Sequence, residues 1–285
     1  MLSRRRLLAL TIPATAAVAC AQPTGNTLER AQAAGAIRIG ISGEQPYCYI
    51  DPSGRVTGSQ PEVARAVLAR IGVHGLDAVR VSFADLIPQL QAGQFDLIAA
   101  GMAVLPARCR EVAFTRPAFV AAPAFLVREG NPREIESFRD IARTGIRLAV
   151  LAGAVEIDYA RAAGVRDDQL EIVDDPSELF RSVADERVPA GALTRISLVD
   201  ALHRNPGSGV EITDEVIPDL DGRPVIPGAA FAVRTGENAF LSAFDAELTA
   251  LQASGEWLRI TEQFGYTREN LPPAELTTRD LCQPE

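Results

Sequence analysis

Short apolar runs alternate with amphipathic stretches along most of the chain. Ile37-Arg38-Ile39-Gly40-Ile41 is a β-rich run, and Tyr47 to Ile50 and Arg55 to Thr57 flank the turn sequence Asp51-Pro52-Ser53-Gly54. Ser59 with Glu62 three residues on predicts a capping box. The helix it opens carries Val63, Val67, Leu68 and Ile71 on one face and stops at Gly72. Val79-Arg80-Val81 reads as a strand. Leu86, Leu90 and Gly93 mark a short helix, with Pro88 tolerable only in its first turn. Phe95 to Ala100 is a continuous apolar strand. This β-α-β-α-β order predicts a parallel sheet covered by helices.

A second series begins near residue 123. Ala124 to Arg128 is extended, and Ile146 to Leu151 is a buried strand that leads through Ala152-Gly153 into a helix ending near Ala163. Leu170 to Val173 is a strand, and Asp175-Pro176-Ser177-Glu178 reads as another capping box with Pro at the first helical position. Ala190 to Leu193 is a strand, Ile196 to His203 a helix, and Ala229 to Val233 extended again. The last long helix, from about Ala239 to Ser254, places Phe240, Phe244, Leu248 and Leu251 on one face. Two α/β units predict two lobes with a cleft between them.

The first residues read as an address. Arg4, Arg5 and Arg6 precede the apolar run Leu7 to Ala19, too short to span a bilayer. Ser3-Arg4-Arg5-Arg6-Leu7-Leu8 resembles a twin-arginine export signal. Ala17-Val18-Ala19-Cys20 resembles a lipobox, in which Cys20 is acylated; cleavage after Ala19-Cys20-Ala21 is the rival reading. Residues 1–21 are therefore expected to be a signal peptide, and the mature protein exported, in the periplasm or lipid-anchored on the outer face of the cytoplasmic membrane. Setting Cys20 aside leaves Cys48, Cys109 and Cys282 in a disulfide-permissive compartment, which allows one bridge at most.

Composition narrows the chemistry. The 285 residues carry a formal charge of −9, which argues against nucleic-acid binding. All 28 basic residues are Arg, so Schiff-base and P-loop lysine chemistry are absent. His74 and His203 lie far apart without ligand spacing, and no metal site or cofactor is expected.

Ligands of open parallel sheets sit beyond the carboxyl ends of the strands. There the first series offers Gly43-Glu44-Gln45-Pro46-Tyr47, Ser82-Phe83 and Gly101-Met102-Ala103-Val104-Leu105-Pro106-Ala107-Arg108. Arg108 suits a carboxylate, Glu44 suits N–H donors, and Tyr47 and Phe83 suit a cation or delocalised positive ring. Together these loops read as a receptor for a small zwitterion.

Three further runs carry a family resemblance: Leu90-Gln91-Ala92-Gly93-Gln94-Phe95-Asp96-Leu97-Ile98, then Pro106-Ala107-Arg108, then Val112-Ala113-Phe114-Thr115-Arg116-Pro117. In order and spacing they resemble family-3 solute-binding proteins of ABC importers, over about residues 37–264. The resemblance implies a two-lobe periplasmic-binding-protein fold of type II, with two hinge-crossing strands and the ligand trapped by closure. It implies one lobe from 36–122 plus 235–285 and a second from 123–234. It also implies a monomer that docks on a membrane permease and has no catalytic residues.

Within that family Gly58-x-x-Pro61-Glu62, Pro106-Ala107-Arg108-Cys109, Ala192-Leu193-Thr194-x-Ile196-Ser197 and Thr277-Thr278-x-x-Leu281-Cys282 resemble ectoine and hydroxyectoine binders. That resemblance implies a Cys109–Cys282 disulfide, Glu44 on the ring nitrogens, Tyr47 and Phe83 against the ring, and Arg108 on the carboxylate. Gly101 belongs to the same loop. Ala103 departs from the pattern, standing where ectoine binders carry an aromatic and amino-acid binders Ser or Thr. Thr194 stands where amino-acid binders place an Asp for the α-ammonium, and an uncompensated ammonium in a closed cleft is costly. Ala154 and Val155 lie where a helix N-terminus could offer N–H groups to an anion. The expected ligand is ectoine or hydroxyectoine, bound less tightly for want of that aromatic, or a related amino-acid-like zwitterion bulky enough to fill the space the aromatic would have taken. The alternatives are a dehydratase-type enzyme on the same fold and an amino-acid receptor of different specificity.

Overall fold

The structure, a computed structural model, describes residues 26–220, 223–225 and 227–283. The expected export leader and Cys20 lie outside the described residues. Two mixed sheets organise the chain. In the first, Gly75–Arg80, Ala36–Ile41 and Leu97–Ala103 are parallel neighbours, as their helical crossovers require. Gly228–Val233 then adds antiparallel to Leu97–Ala103 and carries the short strands Ala113–Phe114 and Phe119–Val120 on its other edge. The purely parallel sheet expected from the strand–helix alternation is therefore corrected: this strand arrives late in the chain, from the other lobe, and runs the opposite way.

The second sheet has the order Leu170–Val173, Leu148–Leu151, Ala190–Thr194, Pro123–Arg128, Val210–Ile212. Its first three strands are parallel and the last two meet antiparallel. Both faces are covered. Along Leu148–Leu151, Ala149 and Leu151 join the large core while Leu148 and Val150 join a second one. Ala124 and Leu126 divide from Phe125 and Val127 in the same way. A strand buried on both faces reads as an unbroken apolar run, which is why these segments are visible in the sequence.

The chain crosses between the sheets at Ala121–Ala122 and again just before Gly228. The two crossings are tied, since the Ala121 N–H donates to the Pro227 carbonyl at 3.1 Å.

Most helices fall where apolar spacing puts them. Asn238–Ala253 buries Phe240, Phe244, Leu248 and Leu251, and the Phe240 and Phe244 rings stack 5.8 Å apart. Both expected capping boxes need correction. Ser59 opens Ser59–Arg70 without capping it: its hydroxyl bonds the Tyr266 hydroxyl at 2.9 Å. Glu62 accepts from Thr57 and pairs with Arg55 at 2.7 Å and Arg65 at 2.8 Å. Tertiary partners outcompete the local cap in both residues. Asp175 does cap Pro176–Ala184, but on the Ser177 N–H, with no reciprocal bond from Glu178. The helix Thr27–Ala34, with a reciprocal Asn26–Glu29 box, escapes periodicity because only Thr27 and Ala31 are buried on it.

Cys109 and Cys282 are joined in a disulfide, with Cα atoms 5.8 Å apart, and Cys48 is a buried free thiol. The bridge ties the C-terminal helix Thr278–Cys282 to the turn Pro106–Cys109, which carries Arg108. No helix among the described residues is long and apolar enough to cross a membrane.

A closed cleft between two sheets

A cavity walled by residues of both lobes lies between them. All nine residues expected at the ligand line it: Glu44, Tyr47, Phe83, Gly101, Ala103, Arg108, Ala154, Val155 and Thr194. The topology explains the gathering. The loops after Ala36–Ile41, Gly75–Arg80 and Leu97–Ala103 leave the same edge of one sheet, and those after Leu148–Leu151 and Ala190–Thr194 leave the facing edge of the other.

The lobes are drawn together by polar groups from both sides. The Ser197 hydroxyl donates to Glu44 Oε1 at 2.5 Å, and the Tyr47 hydroxyl donates to Thr194 Oγ1 at 2.7 Å. Arg108 donates from Nη1 to the Ala103 carbonyl at 2.9 Å and from Nη2 to the Gly153 carbonyl at 2.7 Å. Two of its five N–H groups are thus spent on fixing the guanidinium, and three remain for a ligand. Arg108 also lies over the Phe83 ring, Cζ 5.7 Å from the centroid, so this aromatic face already holds a cation. Outside the cavity, Arg80 and Asp175 face each other across the lobes at 3.9 Å, an exposed pair that contributes little.

Two glycines make the close approach possible. Gly101 has φ +69°, and a Cβ there would sit 3.1 Å from the Tyr47 ring and 3.3 Å from Phe119. Gly153 has φ +74°, and its Cβ would stand 2.9 Å from the Ala84 Cα on the opposite lobe.

Charge inside the cleft is perturbed by burial. Glu44 is 5% exposed, and loss of solvation pushes its pKa up to about 7 although the Ser197 bond opposes the shift. Burial lowers the Arg108 pKa, but a guanidinium stays charged. Ala103 packs against the second-lobe core cluster that contains Leu105, Val155 and Tyr159, so the place of the absent aromatic borders that core.

At Ala154 the expected N–H donor is already used. Ala154 is at the cavity, but its N–H is spent on the Leu151 carbonyl at 3.0 Å and is not free for an anion. The helix that follows, Glu156–Ala162, begins with a carboxylate instead.

The sequence reading missed several lining residues. Phe119 stacks on Tyr47 with centroids 5.3 Å apart, and both rings meet Tyr266 edge-on. Glu156 and Tyr159, each 2% exposed, line the second-lobe wall. Their three-residue spacing on one helix after Gly153 was the available signal. Ser197 lay inside the quoted strand-end run. Among the described residues no cluster of His, Cys, Asp and Glu could hold a metal.

The geometry agrees with known proteins. Residues 37–267 match the model of bacterial extracellular solute-binding proteins, family 3. The chain is 32% identical over 260 residues to a probable amino-acid ABC transporter periplasmic-binding protein of Sinorhizobium fredii, covering 90% of this chain and 86% of that one. Among solved structures it is similar to EhuB in complex with hydroxyectoine, with TM-score 0.82 and 31% identity over 91% of this chain and 98% of that one. It is also similar to an ancestral arginine-binding protein bound to arginine, with TM-score 0.70 and 27% identity over 81% of this chain and 98% of that one. The chain belongs to the bacterial extracellular solute-binding proteins of family 3.

Proposed function

We propose that this protein is the extracytoplasmic substrate-binding component of an ABC importer. It captures a small zwitterion of ectoine, hydroxyectoine or amino-acid type, closes over it and delivers it, as a monomer, to a membrane permease. One observation carries the reading: a closed interlobe cavity has Arg108 and Glu44 on its wall with Tyr47, Phe83 and Phe119 around them. Arg108 takes the ligand carboxylate and Glu44 its cationic N–H groups. The aromatic faces supply about 0.5–2 kcal/mol per cation contact. The similarity to the hydroxyectoine complex supports the same assignment.

Export through the N-terminal leader, with Cys20 as a lipid-bearing terminus, completes the proposal. Mass spectrometry of the mature protein tests it, and an unmodified N-terminus at Gln22 removes the anchor.

The ligand test is calorimetry with ectoine, hydroxyectoine, betaines and amino acids. A true ligand at 100 times its Kd raises stability by about 2.7 kcal/mol. Ala103→Phe, which restores a ring at the cavity, tightens ectoine by about tenfold if ectoine is the ligand. Glu44, with a pKa of about 7, also has the acidity of a general acid or base. Chemical conversion of a bound compound would therefore overturn the transport reading in favour of a dehydratase-type enzyme.

A further inference from the structure

Glu156 is a cavity carboxylate that the zwitterion reading leaves without a task. It lies at the start of the helix Glu156–Ala162, is 2% exposed and lines the interlobe cavity. Among the described residues it makes no ion pair, and its carboxylate bonds only its own backbone N–H. The charged and titratable groups that face it are Glu44, Tyr47 and Arg108 from the first lobe and Asp158 and Tyr159 on its own helix. Arg108 is the one cation among them. It is held by the Ala103 and Gly153 carbonyls, and in the zwitterion reading it is neutralised by the ligand carboxylate. A buried carboxylate beside two others, with its nearby cation already matched, has to keep a proton or receive a cation from the ligand.

We propose that Glu156 is a specificity-determining residue that pairs with a second cationic group, so that the cleft is matched to small solutes of net charge +1. Such a solute has one carboxylate for Arg108, one cationic group for Glu44 and one for Glu156. The proposal rests on the zwitterion reading and deepens it. With two carboxylates against one guanidinium on the walls, a ligand of charge +1 leaves the closed cavity neutral. Burial holds the Glu156 pKa up at about 8, with Glu44 and Asp158 adding to the shift and Arg108 opposing it. Near neutral pH the ligand's cation displaces the proton, which leaves to the buffer, and the carboxylate–cation pair forms in its place.

The test is calorimetry near neutral pH with L-arginine, its neutral isostere L-citrulline, and ectoine, in two buffers of different ionisation enthalpy. The wild type and Glu156→Gln are compared. The wild type is expected to favour arginine over citrulline by about tenfold or more, releasing close to one proton more per arginine bound than per citrulline. Glu156→Gln abolishes both the preference and the extra proton release that separates arginine from citrulline. Glu156→Asp, which keeps the charge, retains the preference. An arginine-to-citrulline ratio unchanged by Glu156→Gln overturns the proposal, and so does a wild type that takes ectoine or citrulline but rejects arginine. The excess of proton release with arginine over citrulline in the wild type decides the point even if the variants fold poorly. If no carboxylate ligand binds the wild type at all, the zwitterion reading falls and this inference with it. Binding without a Glu156 effect removes the inference alone.

Discussion

The two walls of the cleft are built differently. On the first lobe the polar groups are held by protein partners: Glu44 by Ser197, Tyr47 by Thr194, and Arg108 by two carbonyls. On the second lobe Glu156 is just as buried but has no partner beyond its own backbone. Burial raises the pKa of both carboxylates, but a group held by a partner side chain is preorganised and costs little to use, whereas one bonded only to its own backbone is open to a ligand cation. The first wall can therefore hold features common to many amino-acid-like solutes, while the second can discriminate among them.

The strongest test of this contrast is Arg108→Ala. It removes the cavity's cation and is expected to weaken any carboxylate ligand by about 100-fold, on the scale of a charge-assisted hydrogen-bond pair. Unchanged affinity by calorimetry would take Arg108 out of the site.

Next in size is the pH dependence of the ligand-free protein. Glu44 and Glu156 titrate at about 7 and about 8 in the fold, above the ordinary 4.5. The unfolded chain loses these protons first. Stability is therefore greatest below about pH 4.5 as far as these two groups go, and it falls as pH rises towards about 8. Each group contributes a slope of about 1.4 kcal/mol per pH unit within its window. Glu156→Gln should flatten the part that reaches highest in pH. Melting curves of the two proteins that differ by a constant offset across the range would refute this.

Gly153→Ala probes closure itself. Alanine at positive φ costs about 1–2 kcal/mol, and its Cβ meets Ala84 only when the lobes are shut. Ligand affinity is expected to fall by about tenfold. Solution scattering should report a more open average shape, and equal closure in variant and wild type would sink the idea. The smallest effect belongs to Tyr47→Phe, which keeps the ring on Phe119 but loses the bond to Thr194. That bond is worth about 1 kcal/mol, or roughly fivefold in affinity. A loss as large as that of Arg108→Ala would mean that the hydroxyl touches the ligand directly.

Much of the fold was legible because the strands are buried on both faces and the helices on one. Leu148–Leu151 and Asn238–Ala253 announce themselves through these patterns. Thr27–Ala34 did not, since it hides only a threonine and an alanine. The capping boxes misled because Ser59 and Glu62 found partners far along the chain or outside the helix. At the site, first-lobe residues were legible from their place after successive strands. Glu156 was not, because an acid in the first turn of a helix is ordinary, and only its burial makes it unusual.

The sequence by itself determined the strand–helix order, the loops that carry Glu44, Tyr47, Phe83 and Arg108, and the family they resemble. These depend on periodicity and local spacing, which are written along the chain. Only the tertiary structure decided that Arg108 shares its guanidinium between Ala103 and Gly153. It alone paired Glu44 with Ser197 and Tyr47 with Thr194, and it alone left Glu156 buried without a direct ion pair among the described residues. Solvation and partner choice depend on which distant segments fold against one another, and no local pattern encodes that.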